Sequence, residues 1–322
     1  MDFRTIIKIP SYPFSISYSD KIMIIGSCFA ENIGRKLSEN KFDVVVNPFG
    51  VLYNPMSIKS ALTDIITGKN FTEEDLFTNE GLYHSFSHHS RFSATKPEIC
   101  LENINQSLEN ARTYIDNLDY LIITFGTAYI YRLKESGNIV SNCHKLPDKL
   151  FERERLGIDE IVSEYIQLIQ QLREKSPALK ILFTVSPIRH LKDGAHKNQL
   201  SKSILLLAVE QLQNSIDDIY YFPAYEIVMD ELRDYRFYAE DMCHISDTTV
   251  SYLWEQFTAA FVSEEMKLFI RRWGKIKKAM QHSPFNPDSE SYKLFMQKTI
   301  EELEMLKREY SKLNLDCFAL TN

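Results

Sequence analysis

Two short runs combine residue types that could carry out acyl chemistry. Gly26-Ser27 closes the apolar stretch at residues 21–25 (KIMII), and residues 28–40 (CFAENIGRKLSEN) follow with Phe29, Ile33 and Leu37 spaced four apart. A buried strand therefore feeds an amphipathic helix. The first N–H groups of such a helix lack intrahelical acceptors, and its dipole favours negative charge there. A serine at that junction can act as a nucleophile with its own N–H at the oxyanion, or it can cap the helix. The second run is Asp241-Met242-Cys243-His244, beyond the last strand. An aspartate three residues before a histidine can accept from one ring nitrogen and leave the other to take a serine proton. Cys28 sits beside Ser27, but adjacent helical side chains point about 100° apart, so only one of the pair faces the histidine. Ser27 is taken as that residue. Cys143 and Cys243 are read as small buried fillers.

These residues need a scaffold to bring them together. Further strands are expected at residues 43–46 (DVVV), 120–124 (YLIIT), 180–185 (KILFTV) and 219–225 (IYYFPAY), with Pro223 marking an end or an edge. Helical patterns lie between them at 56–66, 101–117, 158–175 and 198–215. Strands alternating with helices imply βαβ units and a mostly parallel sheet covered on both faces. Ligands bind such sheets beyond the carboxyl ends of the strands. Ser27, Gly50, Gly126 with Thr127, and residues 187–190 should thus converge on one rim. Beyond about residue 250 the pattern is helical. Phe257, Phe261, Phe269 and Trp273 mark one face of a helix running to about Gln281, residues 283–289 (SPFNPDS) break it, and Leu303, Leu306, Tyr310 and Leu313 mark a second. A helical hairpin results, its basic first arm facing Glu301, Glu302 and Glu304. The expected division is an α/β domain over residues 1–260 and a helical extension over 261–322.

The composition removes several function classes. Lys and Arg number 37 against 44 Asp and Glu, a net charge of −7, which disfavours a protein devoted to nucleic-acid backbone binding. Only 10 of the 322 residues are glycine, and the nearest pair is Gly26 and Gly34. GxGxxG, GxxxxGK[ST] and GxSxG motifs are therefore absent, and with them the standard dinucleotide turn, phosphate loop and nucleophile elbow. The 5 cysteines, Cys28, Cys100, Cys143, Cys243 and Cys317, are never in CxxC spacing, so neither a disulfide framework nor a zinc ribbon is expected. No stretch has the apolar core of a signal peptide or the roughly 18 apolar residues of a membrane span. A cytoplasmic protein without membrane or nucleic-acid partners is expected, with no cofactor implied.

The run Gly26-Ser27-Cys28-Phe29-Ala30 resembles the GSCFA-domain family, within the wider SGNH (GDSL-like) hydrolases. The resemblance continues through NPFGVLYNP at residues 47–55, TFGTA at 124–128, NCHK at 142–145, VSPIRH at 185–190 and DMCH at 241–244. It implies a three-layer α/β/α sandwich and hydrolysis or transfer of an acyl group, including O-acetyl esters of glycans and lipid acyl esters. By the resemblance, Ser27 matches the nucleophile, Gly50 an oxyanion-hole glycine, and Asp241 with His244 the remaining catalytic pair. The sequence departs from the wider pattern at Ala128, where SGNH enzymes carry an asparagine. Losing one oxyanion donor can cost on the order of 100- to 1,000-fold in rate. Asn142 is the first choice to replace it, because its amide imitates the lost group; Thr127 and His144 are the others.

Two other clusters stand on the same expected rim. Arg189-His190 follows the fourth strand, where the arginine could hold an anionic substrate group or pair with Asp193. His84, His88 and His89 invite a metal reading, but without nearby carboxylate or thiolate ligands the segment reads better as an aromatic, polar loop over the cleft. The expected activity is that of a serine esterase or acyltransferase acting on a small-molecule, glycan or lipid ester. The main alternative is a non-catalytic module that uses the cleft or the hairpin for recognition, a reading favoured by Ala128.

Overall fold

The computed structural model describes residues 4–315, so Cys317 lies outside the described residues. The first half of the chain forms β1 (Lys21–Gly26), α1 (Cys28–Glu39), β2 (Asp43–Val46), α2 (Pro55–Thr67), the hairpin β3 (Leu76–Asn79) and β4 (Leu82–Ser85), and α3 (Pro97–Ile115). Next come β5 (Tyr120–Phe125), β6 (Tyr129–Leu133), β7 (Ile139–Val140), β8 (Phe151–Arg155), α4 (Ile158–Lys175), β9 (Lys180–Val185), α5 (Ala195–Ser215) and β10 (Ile219–Tyr221). The short α6 (Ala224–Glu226), then α7 (Asp247–Phe261), α8 (Glu264–Met280) and α9 (Glu290–Glu309), complete the fold.

The central sheet is parallel, in the order β10-β9-β5-β1-β2. Its strands are apolar on both faces because both faces are covered. Met23 and Ile25 of β1 and Leu121, Ile123 and Phe125 of β5 pack under α2, α3, α4 and α5. The alternate residues, Ile22, Ile24, Ile122 and Leu182, face α1, α7, α8 and α9. The period-2 alternation of a strand thus fills two separate cores, giving the three-layer α/β/α sandwich with a helical hairpin at its C-terminal end. From β1 the chain moves outward to β2, then returns to the other side at β5. That reversal opens a crevice at the carboxyl ends of β1 and β5.

Gly26 closes β1 at φ +142°, and a Cβ there would lie 2.2 Å from the Thr124 carbonyl oxygen of β5. Only glycine lets the two strand ends meet this closely. Asn47, just past β2, accepts from the Gly26 N–H at 2.8 Å and donates its own N–H to Ile24 O at 2.8 Å, fixing the following loop beside β1.

Three departures from the sequence reading have physical causes. The expected single helix from Phe257 to Gln281 is two helices. Ile16 bonds across the joint, accepting from the Ser263 N–H at 3.0 Å and donating to Phe261 O at 2.6 Å, and Ser263 caps α8. The strand expected over 219–225 ends at Tyr221, ahead of Pro223. Residues 76–85 and 129–155 hold antiparallel β-structure, the second as a sheet in the order β7-β6-β8. Among the described residues no helix is long and apolar enough to cross a membrane.

The hairpin is packed on the sandwich. Trp273 of α8 is buried in the second core and donates its indole N–H to Glu39 O at 2.9 Å, at the end of α1. Arg272 bridges to Glu302 at 2.7 Å and to Glu309, joining α8 to α9. Trp273→Ala should lower the unfolding free energy by roughly 3–5 kcal/mol, the usual cost of emptying a buried aromatic site, as read from urea unfolding curves.

Candidate active site

A cleft of about 600 Å³ opens at the carboxyl end of the sheet. Tyr53 and Thr127 stand at strand-end loops, Tyr129, Tyr131 and Arg153 come from the small antiparallel sheet, Asn142 from the loop after β7, and Arg189, His190 and His244 from the opposite side. The structure thus brings together Thr127, Asn142, Arg189, His190 and His244 from the sequence-based set. Ser27, Asp241, Gly50 and His144 are not among the residues that line the cleft, and neither is Cys28.

The Asp241–His244 pair forms as its spacing suggests. Asp241 Oδ2 lies 2.5 Å from His244 Nδ1, while Oδ1 accepts the backbone N–H groups of Cys243 at 2.9 Å and His244 at 2.8 Å. These donors, the imidazole first, hold the Asp241 carboxyl down to about 2. An ionised carboxylate only accepts, so Nδ1 of the neutral ring carries the proton and Nε2 carries the lone pair. Both side chains are about half exposed.

At the start of α1 the adjacent Ser27 and Cys28 are divided between core and rim. Ser27 is fully buried as the N-cap; its Oγ accepts from Phe29 N at 3.3 Å and its own N–H donates to Thr124 O at 3.3 Å. Cys28 is partly exposed, and its Sγ lies 3.8 Å from the hydroxyl of Tyr53, a cleft residue. Burial raises the Cys28 pKa, so the resting group is a thiol. Of the two, Cys28 is the one with solvent access, and it touches the cleft through Tyr53. Neither Ser27 nor Cys28 is hydrogen-bonded to His244.

The expected oxyanion donors are placed differently from one another. Gly50, at φ +78°, uses its N–H within the turn to Asn47 O at 2.7 Å, and His89 covers it so closely that a Cβ would meet His89 Cβ at 2.2 Å. Its glycine is demanded by that turn and that cover. Thr127 donates its N–H to Tyr53 O at 2.9 Å and shares a hydroxyl contact with Ser201 at 3.1 Å. Ala128 is buried in the first core, with its N–H on Ser201 Oγ at 2.7 Å. Asn142 remains at the surface of the cleft, its Nδ2 on Ser90 Oγ at 3.3 Å. His144 is instead buried, with Nε2 2.8 Å from Ser85 O, and burial holds its pKa down to about 4.

The histidine segment is structural in its bonding. His84 lies on β4 between Ser93 Oγ at 2.7 Å and Asn79 O at 3.2 Å, and His88 stacks on Phe49 with ring centroids 4.5 Å apart. His89 alone of the three lines the cleft. Among the described residues no group of three His, Cys, Asp or Glu side chains is arranged to hold a metal ion.

Sequence reasoning missed the floor of the cleft. Lys202 of α5 is fully buried and donates to Gly126 O and to Ser186 O, both at 2.6 Å, tying the end of β5 to that of β9. Burial, reinforced by the charge on Arg189, brings its pKa down to about 7. The available signal was a lysine on the apolar face of α5, three residues before Leu205, where a solvated lysine has no place. Beside it, burial holds the His190 pKa down to about 3, and His190 Nε2 is enclosed without a partner.

The chain belongs to the GSCFA family, whose match spans residues 21–257. A separate match, to the C-terminal domain of GSCFA domain proteins, spans residues 273–317. No curated protein matches the chain. Among solved structures it is similar to an acetyl xylan esterase (Est2A) from the rumen bacterium Butyrivibrio proteoclasticus, at 11% identity and a TM-score of 0.37. That likeness covers 80% of this chain but 65% of the esterase, just under two thirds of its length. A second, a family 3 carbohydrate esterase of Clostridium thermocellum, shares 12% identity at a TM-score of 0.33 over 77% of this chain and 98% of the other.

The pKa of Lys202 lies below its unfolded value of about 10.4, so between these values the unfolded chain binds more protons and stability rises with pH. That contribution is lost as pH falls toward 7. Relative to Lys202→Met, wild-type unfolding free energy should therefore gain roughly 2.5 kcal/mol between pH 6 and pH 9 in urea titrations.

Proposed function

We propose that the cleft transfers an acyl group from an ester to water or to another hydroxyl, with His244 as the proton carrier and Asp241 as its orienting partner. The observation that carries this reading is the Asp241–His244 pair, whose 2.5 Å contact leaves the imidazole Nε2 as the basic nitrogen. The placement of His244 on the cleft wall supports a role in proton transfer.

The nucleophile in this proposal is Cys28, because it is the partly exposed member of the α1 turn, whereas the Ser27 hydroxyl serves as the helix cap. With substrate bound, His244 Nε2 takes the thiol proton as Sγ attacks the acyl carbon. The bond to the alcohol oxygen then breaks, and the alcohol leaves with that proton. Water or a second hydroxyl, deprotonated by His244, next attacks the thioester, and the sulfur departs to regain its proton. The Cys28 N–H, at the first position of α1, has no intrahelical acceptor and can meet the oxyanion, with Asn142 Nδ2 as the second donor. Whether the acceptor is water or a sugar or lipid hydroxyl divides hydrolase from transferase.

A non-catalytic binding module is the second reading, favoured by the burial of Ala128 and by the turn bond that occupies the Gly50 N–H. The two are separated by intact mass after incubation with 4-nitrophenyl acetate. An acetyl adduct should appear on wild type, be discharged by neutral hydroxylamine as a thioester is, and be absent from Cys28→Ala and reduced at least about 100-fold in rate in His244→Ala. An adduct abolished by Ser27→Ala and retained by Cys28→Ala would return the nucleophile to the serine. Folded wild-type protein with no adduct and no release of 4-nitrophenol would leave the binding module.

A further inference from the structure

Arg189 has a charge that the protein does not answer. Its backbone N–H donates to Cys243 O at 3.1 Å, which fixes it against the Asp241–His244 loop. Asp193, the partner that sequence proximity offers, bridges to Arg153 instead. A guanidinium carries five N–H donors. Here Nη1 meets only the sulfur of Met229 at 3.2 Å, a weak acceptor, and Nε is enclosed without a partner. Arg189 forms no ion pair with any carboxylate among the described residues. Enclosing a charge without a partner is costly, and arginine does not escape the cost by deprotonating.

The same guanidinium lines a second cavity, of about 510 Å³, walled by Leu191, Val228, Met229, Leu232, Tyr238 and Met242. Of the other charged residues there, Asp234 is already engaged, capping the Arg236 N–H at 2.9 Å and pairing with its side chain at 3.8 Å, and Arg233 adds a further positive charge. Arg189 and Leu191 also line the main cleft, so the two spaces share one wall.

We infer that this cavity receives a ligand with an apolar body and an anionic group, a carboxylate or a phosphate, with Arg189 supplying the counter-charge. Because Arg189 also borders the cleft, that ligand is the acyl ester substrate itself, an assignment that rests on the function proposed above. A planar, bidentate donor pair suits either head group, and the apolar wall strengthens the interaction by excluding water. The chain as a whole is negative, at −7, so an anionic substrate is recognised here by local chemistry and not by overall attraction.

Calorimetric titration of the full chain with hexanoate, hexyl phosphate and hexan-1-ol tests the inference, since the three share a body and differ in the head. The anions should bind at least about tenfold more tightly than the alcohol, and the tighter of the two identifies the head group. Arg189→Gln, with its fold checked by thermal melting, should lose that preference, and Arg189→Lys should recover part of it. Equal binding of hexanol and both anions by wild type, a comparison that needs no variant, would overturn the inference, as would undiminished anion affinity in Arg189→Gln. The catalytic reading fails separately: Arg189-dependent anion binding by a protein that forms no acyl adduct sinks catalysis and leaves the anion site standing.

Discussion

The ammonium of Lys202 reaches from α5 into the space where β5 and β9 end, and its two bonds, to Gly126 O and Ser186 O, hold apart and in register the loops that build the cleft. From Gly126 the chain of contacts continues outward. The Gly126 N–H donates to Tyr53 O at 2.8 Å, and the Tyr53 hydroxyl stands beside the Cys28 sulfur. From Ser186 it runs through the buried Ile188 to Arg189 and the Cys243 carbonyl, hence to the His244 loop. One buried polar group thus links both sides of the site to the same helix. A neutral amine has the two N–H groups needed for two carbonyls, so these bonds survive loss of the charge.

The site built on this floor has two electrostatic characters. Below, burial keeps His190 uncharged beside the Arg189 guanidinium. Above, the Asp241–His244 pair sits in contact with solvent, its carboxylate fixed by three donors. Lys145, Arg153, Arg189 and Lys192 line the cleft with, among the described residues, only Asp148 as a lining carboxylate, although Lys192 reaches Asp148 at 3.4 Å and Arg153 is paired with Asp193. A positive cleft in a negative protein is a local feature of the site, and it concentrates anions where the strands end.

Much of this scaffold could be read from the chain. The five apolar runs gave the strands, and the helices of residues 158–175 and 198–215 fell within a turn of where periodicity put them, because two-sided burial leaves a strong pattern. The Asp241–His244 contact was legible for a local reason: three residues separate the partners, so the loop itself sets their distance. Long-range placement was not legible. Whether Ser27 or Cys28 turns outward depends on the cap geometry of α1 and the packing of β5 behind it, and a 100° rule cannot say which way the pair is rotated. Residues 129–133 (YIYRL) and 151–155 (FERER) are only five residues long and carry no clear apolar–polar alternation, and sheet pairing through Tyr131 and Arg153 decides their form. Lys202 and Arg189 owe their roles to what surrounds them in space.

The bridge between Ile16 and the joint of α7 and α8, together with the bond from Trp273 to the end of α1, ties residues at opposite ends of the chain. During synthesis the sheet can be assembled once β10 has emerged, but its second face, with Ile22, Ile24, Ile122 and Leu182, is covered only by α1 until residues 250–276 follow, and waits for α9 still longer. For that interval the part of the sheet that α1 leaves uncovered stays exposed and apolar beside an already completed face, the kind of intermediate that holdase chaperones recognise. The C-terminal hairpin therefore sets the moment at which the chain becomes independent of such help, and a ribosome stalled before it would release a species prone to self-association.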